Sequence, residues 1–332
     1  MNILVLGAGS WGTTLALHCS WIGHRVTLWE KFEDLAKRLI NEKENRIFLP
    51  GISLPSDIRI TADLEELEEK YDIILFVVPS KHVREVSRIA SSIMSGDEVV
   101  VSASKGLERG TLLRISQTLE EELGGLTARG VVALSGPSHA EEVSRKLPTT
   151  LVSASEDSVA AKYIQQALVS SHLRIYTNSD IIGVELGGAL KNIIAIANGI
   201  CAGLDYGDNT TGALITRGIR EISRLGTAMG ADPITFSGLS GIGDLITTCI
   251  SKHSRNRHVG SELARGKKLD RIVTEMVMVA EGIETTRAAV ELSKNFCIEM
   301  PITAQVNSVL FEKKDPKSAV DELMLREPKS EL

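Results

Sequence analysis

Aromatic residues are scarce in this chain: three Trp, four Tyr and six Phe make up 4% of its 332 positions. They do not interleave with basic residues, which excludes a stacking surface for single-stranded nucleic acid. An excess of positive charge is also missing. The formal net charge is −6, and the densest basic groups, Arg255-Asn256-Arg257 and Lys267-Lys268, stand apart. Neither nucleic acid nor an anionic membrane is therefore expected as a partner. Cysteine is sparse: Cys19, Cys201, Cys249 and Cys297 lie far from one another, with no C-x-x-C and no His-paired spacing. That pattern argues against a zinc site, and it predicts buried thiols in a reducing compartment, hence a cytoplasmic location. Long apolar runs are lacking too. The longest, around residues 193–204, is broken by Asn198 and glycines and reads as short of a membrane span. The apolar N-terminus lacks the basic region and cleavage site of a signal peptide. What remains, 43% hydrophobic and 24% charged residues, is the composition of a soluble globular enzyme long enough for two domains.

What the chain does have stands at its start. Ile3-Leu4-Val5-Leu6 reads as a short buried strand that runs into Gly7-Ala8-Gly9-Ser10-Trp11-Gly12, followed by a helical pattern over residues 13–22. Strand, G-x-G-x-x-G loop and helix in that order form the dinucleotide-binding fingerprint. Gly7 allows the tight turn, Gly9 lets backbone N–H groups approach a pyrophosphate, and Gly12 lets the helix pack on the strand. The N-terminus of the helix adds free N–H groups and a positive dipole end. A second strand over residues 25–29 leads to Glu30-Lys31. An acidic residue about 20 positions past the glycines accepts hydrogen bonds from the adenosine ribose and repels a 2′-phosphate. Lys31 attracts one, so the cofactor is read as NAD or NADP.

Further strands are predicted at 58–61, 73–78, 98–103, 131–135, 149–154 and 173–177. Several are continuous Val/Ile/Leu runs, as expected for strands covered on both faces. Helical patterns at 82–94 and 111–123 alternate with them. This is an α/β arrangement, a Rossmann-like doubly wound and mostly parallel sheet, with room for antiparallel strands at one edge. From about residue 180 the strand signal stops and helical periodicity takes over. The expected organisation is a dinucleotide-binding domain over 1–180 and an all-α substrate-binding and catalytic domain over 181–332. The polar tail from Arg326 is expected to fray.

Glycine loops bind cofactors in many folds, so the chemistry must come from elsewhere. The helical pattern over 183–204 places Leu186, Leu190, Ile193, Ala197, Ile200 and Leu204 on one arc. Lys191, Asn192 and Asn198 fall on the other, among Gly187, Gly188, Ala195 and Gly199. Small residues around a lysine leave room for a ligand, or for a helix packed closely with Lys191 reaching outward. Asp244 follows a glycine-rich turn and is either a site carboxylate or a helix cap. Ser254-Arg255-Asn256 offers donors suited to a phosphate, or forms a solvated basic turn. Lys105 and the Gly136-Pro137-Ser138 turn follow predicted strands, at the end of the sheet where such folds bind ligands.

Taken together, Gly-Ala-Gly-Ser-Trp-Gly, Ser104-Lys105-Gly106-Leu107-Glu108, Gly136-Pro137-Ser138, Gly187-Gly188-Ala189-Leu190-Lys191-Asn192, Gly241-Ile242-Gly243-Asp244-Leu245, Ser254-Arg255-Asn256-Arg257 and Val279-Ala280-Glu281-Gly282 run in order from Met1 to about Glu312. This set resembles NAD(P)-dependent glycerol-3-phosphate dehydrogenase of the bacterial type. The resemblance implies reversible reduction of dihydroxyacetone phosphate to sn-glycerol 3-phosphate by NAD(P)H, supplying glycerophospholipid synthesis. It implies Lys191 as general acid and base, Asp244 orienting it or the substrate, and Lys105 as a second cation touching both substrate and cofactor. By the same resemblance Ser254, Arg255 and Asn256 hold the phosphate, with Arg255 also at the cofactor. Gly136 and Ser138 contact the substrate or nicotinamide, Ala140 lies near the cofactor, and Val279 and Glu281 reach back to it. The glycine loop contributes Ser10 and Trp11 beside its three glycines. His139 stands where the familiar form has Phe. A homodimer is expected from the habit of soluble enzymes. Two alternatives remain: another two-domain hydroxyacid or hydroxy-sugar dehydrogenase, and a dinucleotide-sensing module without turnover.

Overall fold

The computed structural model of the protein describes residues 1–67, 70–328 and 330–331. Lys329 and Leu332 of the polar tail lie outside the described residues. The chain first builds one eight-stranded sheet: β1 (Asn2–Leu6), β2 (Arg25–Trp29), β3 (Arg59–Thr61), β4 (Ile73–Phe76), β5 (Val99–Ser102), β6 (Val131–Ser135), β7 (Thr149–Ala154) and β8 (Leu173–Asn178). Their spatial order is β3-β2-β1-β4-β5-β6-β7-β8. The first six run parallel; β7 pairs antiparallel with β6, and β8 parallel with β7. Two reversed strands therefore finish one edge.

The alternation of side chains along a strand explains why these sequences are continuously apolar. Ile3 and Val5 of β1 point into one core with Leu15 and Cys19, while Leu4 and Leu6 point into another with Phe76 and Val86. Both faces of β1 are dry, and Ile3 to Leu6 are all apolar; of the polar residues buried elsewhere in the sheet, Thr27 and Ser153 carry hydrogen-bond partners. The order reverses direction between β1 and β4, which opens a crevice at the carboxyl ends of those strands.

From Ile181 the chain is helical, around a third core. Its centre is the helix Ile181–Gly203, of which 19 residues from Ile181 to Cys201 are buried. That helix is 23 residues long and apolar enough to cross a membrane, which corrects the shorter span read from sequence. However, 89% of its most apolar window is buried inside the protein, so it is the core helix of the second half. Its glycines serve close packing: a Cβ on Gly199 would sit 2.0 Å from the carbonyl oxygen of Arg257.

Three other expectations are corrected. The predicted helix over 111–123 begins only at Ile115, because Leu112 sits at φ 63 and Arg114 caps the helix. The predicted helix over 82–94 is an α-helix only over Val83–Ala90, with a 3₁₀ turn at each end. Cys19, Cys201 and Cys249 are buried as expected, but Cys297 is exposed. It lies just past the helix Gly282–Asn295 at φ 54, where the chain turns away from the core.

Candidate active site

The crevice between the sheet and the helical half has a volume of about 420 Å³. The glycine loop forms one end. Gly7 adopts φ +110, and a Cβ on Gly12 would lie 1.8 Å from the carbonyl oxygen of Gly7, so only glycine lets the loop and helix close up. A Cβ on Gly9 would meet nothing within 4 Å, because the loop there faces open space. The helix Ser10–Trp21 that follows has no side-chain cap and no acidic residue in its first turn. Its leading N–H groups are left for an anion, a donor set that fits the pyrophosphate of a dinucleotide.

At the other end two lysines meet one carboxylate. Lys105 follows β5 in the first half, Lys191 lies midway along the central helix, and Asp244 opens the helix Asp244–Ile250 after a π-helical turn. Asp244 does not serve its own helix as a cap. Its Oδ1 accepts from Lys191 Nζ at 2.5 Å, and its Oδ2 accepts from Lys105 Nζ at 2.8 Å. Lys191 Nζ also donates to Thr248 Oγ1 at 2.7 Å, and that hydroxyl donates to the Asp244 carbonyl at 2.7 Å. Lys105 Nζ donates to the Gly136 carbonyl at 2.9 Å. The Lys191 and Asp244 side chains are 7% and 2% exposed. Two ammonium groups around one carboxylate leave a net positive charge facing the crevice.

Burial decides the protonation here. It pulls the Lys191 ammonium down to about 8; Asp244 works against that shift and Lys105 with it. Burial pushes the Asp244 carboxyl up, but the charges of Lys105 and Lys191 outweigh it and hold the carboxyl below its usual range.

Between these ends lie the other predicted residues. Ser254 Oγ accepts from Arg257 N and so caps the helix Arg255–Ala264. Arg255 reaches into the crevice and donates to the Val279 carbonyl at 3.2 Å. Asn256 is buried; its Nδ2 donates to Asn192 Oδ1 at 2.9 Å and its Oδ1 accepts from Gly282 N at 3.0 Å. It therefore ties three helices together beside Lys191. Glu281 crosses to the first half, accepting from Ser80 N at 3.1 Å and from Ser80 Oγ at 2.6 Å. Burial holds its carboxyl up, against the pull of Ser80 and Arg255. Ser138 lines the crevice and donates to the Gly136 carbonyl at 3.0 Å, and Ala140 lines it next to the glycine helix, its carbonyl accepting from Thr14 Oγ1. Glu30 and Lys31 both line the crevice at the end of β2.

Of the predicted residues, Gly12 and Gly136 are not on the wall: Gly12 packs beneath the loop, and Gly136 turns its carbonyl to Lys105. His139 lines the wall, its ring 5.9 Å from that of His253 and its Nε2 buried without a hydrogen bond among the described residues. Thr248 and Ser80 were missed. Thr248 lies one helical turn past Asp244, a spacing that signals a shared face; Ser80 opens the 3₁₀ turn Ser80–His82 beyond β4, with no local mark of its role. A larger hollow of about 620 Å³ lies where β8 meets the start of the central helix. Of the carboxylates lining it, Asp180 and Asp232 accept from the backbone N–H groups of Gly183, Asp232 and Ile234, while Glu156 lies at its edge.

Residues 2–161 match the family model for the NAD-dependent glycerol-3-phosphate dehydrogenase N-terminus, and residues 180–321 match that for its C-terminus. The chain is 48% identical over 332 residues to glycerol-3-phosphate dehydrogenase [NAD(P)+] of Prosthecochloris aestuarii, covering 100% of both chains. It is 50% identical over 331 residues to that of Halalkalibacterium halodurans, covering 100% of this chain and 96% of the relative. The solved structure of glycerol-3-phosphate dehydrogenase from Coxiella burnetii superposes with a TM-score of 0.93 at 38% identity, covering 98% of this chain and 99% of that one.

Proposed function

Because the chain belongs to the NAD-dependent glycerol-3-phosphate dehydrogenase family, we propose that Lys191 is the general acid and base in the reversible reduction of dihydroxyacetone phosphate to sn-glycerol 3-phosphate. The observation that carries this assignment is the buried Lys191–Asp244–Lys105 cluster facing the crevice. The NAD(P) cofactor, when bound, supplies the hydride in one direction and accepts it in the other. The product is a precursor for glycerophospholipid synthesis.

As negative charge develops on the ketone oxygen, the Lys191 ammonium stabilises it and delivers the proton; in the oxidative direction the neutral amine removes it. A lysine titrating near 8 reaches both states close to neutral pH, as one at 10.5 does not. Asp244 holds the ammonium by one oxygen and Thr248 holds it by a hydroxyl, which orients it toward the crevice. Lys105 adds a second positive charge and lowers the affinity of Lys191 for its proton. We assign Arg255 to the substrate phosphate, with Ser254 and Asn256 beside it, since a guanidinium offers paired donors to an anion. Ser138 completes the substrate end, with the Gly136 carbonyl holding Lys105 behind it, and the loop Gly7 to Trp11 closed up by Gly12, with Glu30, Lys31, Ala140, Val279 and Glu281, completes the cofactor end.

In this reading residues 1–180 bind the dinucleotide, residues 181–332 supply the catalytic side chains, and closure of the two halves keeps water from the reacting carbon. A small-molecule substrate, a cytoplasmic location and a homodimer complete it. The test is kinetic: Lys191→Met is expected to lower kcat by about 10²–10⁴-fold, and Arg255→Ala to raise KM for dihydroxyacetone phosphate with little loss of protein stability. Near-normal turnover in the first variant, or an unchanged KM in the second, would sink the corresponding assignment.

A further inference from the structure

At the far end of the crevice, Glu30 and Lys31 offer opposite signals to the 2′ position of an adenosine ribose. The structure shows that they are not equally free to act. Glu30 is 7% exposed at the carboxyl end of β2, beside the glycine loop, where this fold sets that ribose. One of its carboxylate oxygens accepts from Phe32 N at 3.2 Å, which holds the side chain in place. Lys31 is already engaged: its Nζ lies 2.5 Å from Glu85 Oε1. Turning it toward a phosphate would leave Glu85 uncompensated next to the new charge, so the lysine brings no net positive charge with it.

The neighbouring groups add no cation. His82 lines the crevice near Glu85, and burial followed by the charge of Lys81 lowers its pKa, which disfavours its charged form. Lys81 itself is exposed and lies off the wall. Phe32, Leu35 and Phe48 make the rest of this end apolar. Among the described residues lining this end, no arginine is present to clamp a 2′-phosphate.

We infer that the site prefers NAD(H) to NADP(H), that Glu30 sets this preference, and that the Lys31–Glu85 pair withholds the cation able to offset it. The inference rests on the dehydrogenase reading above. Glu30 accepts hydrogen bonds from the ribose hydroxyls, whereas a phosphate placed there meets a like charge in a partly dehydrated setting. Burial already holds the Glu30 carboxyl above its ordinary range, and the added anion raises it further.

The test is direct binding, by calorimetric titration of the full chain with NADH and with NADPH in the absence of substrate. NADH is expected to bind at least about tenfold more tightly. Glu30→Gln removes the charge and keeps the shape, and it narrows the ratio by tightening NADPH. Glu85→Gln, an exposed change that frees Lys31, narrows it as well. Equal or tighter binding of NADPH to the unsubstituted chain overturns the inference, as does a ratio that neither substitution moves. Binding of neither dinucleotide to a folded chain overturns the dehydrogenase reading instead, so the two failures are distinct.

Discussion

The two ends of the crevice carry the same chemical pair, a lysine ammonium against a carboxylate, in opposite surroundings. Lys31 and Glu85 are 41% and 50% exposed, whereas Lys191 and Asp244 are 7% and 2% exposed, and both pairs are separated by 2.5 Å. Identical distances do not make identical interactions. Water and ions screen the outer pair, so it does no more than adjust the local charge. Desolvation of the inner pair is the largest influence on Lys191 and brings it to about 8. Burial turns a surface ornament into an acid and base suited to catalysis, and it makes the inner pair costly to break.

Breaking the inner pair is therefore the largest perturbation. Asp244→Ala leaves two ammonium groups facing each other without their shared carboxylate. We expect a loss of about 3–5 kcal/mol in unfolding free energy, measured by urea titration, together with a sharp fall in kcat. A loss below about 1 kcal/mol would place the pair in the screened class with Lys31 and Glu85.

The pH dependence sharpens the contrast. Lys191 binds its proton less tightly in the folded than in the unfolded chain, so its protonated form costs stability below pH 8, and that cost is relieved as pH rises from about 8 toward 10.5. Across this window the stability difference between the parent chain and Lys191→Met changes in favour of the parent by up to about 1.4 kcal/mol per pH unit. In catalysis, oxidation of glycerol 3-phosphate rises with an apparent pKa near 8 while reduction of the ketone falls. A profile flat from pH 7 to 9 in both directions would remove Lys191 as the titrating group.

The smallest effect is expected at the outer pair. Lys31→Met leaves the urea midpoint unchanged within error at any salt concentration, because both partners are solvated. A clear, salt-dependent destabilisation would erase the distinction drawn between the two ends.

Much of this was legible before any coordinates. The strands could be placed to within a residue or two because a sheet covered on both faces favours continuous apolar runs, as in β1 and β4. Lys191 stood out because a lysine set among Gly187, Gly188 and Ala195 is unlike a solvated face. The start of the helix at Ile115 was hidden, since periodicity in residues 111–114 does not reveal that Leu112 takes a left-handed turn. The central helix was legible over 183–204, against Ile181–Gly203 in the structure, but its apolar stretch was underread because its small residues lower the apolar signal while allowing tighter packing. The exposure of Cys297 depends on where one helix stops, which composition does not record.

The sequence by itself determined the glycine loop, the alternation of strands and helices, and the types of residue available for hydride-transfer chemistry. These follow from local rules of backbone freedom and side-chain period. Only the tertiary structure decided their partners. Lys105 reaches Asp244 across 139 positions of chain, and Ser80 reaches Glu281 across 201. It also decided which charges water reaches, leaving Lys31 and Glu85 solvated and Lys191 desolvated beside Asp244. Desolvation belongs to the packed interior, where several elements together exclude water, and no single stretch of sequence contains it.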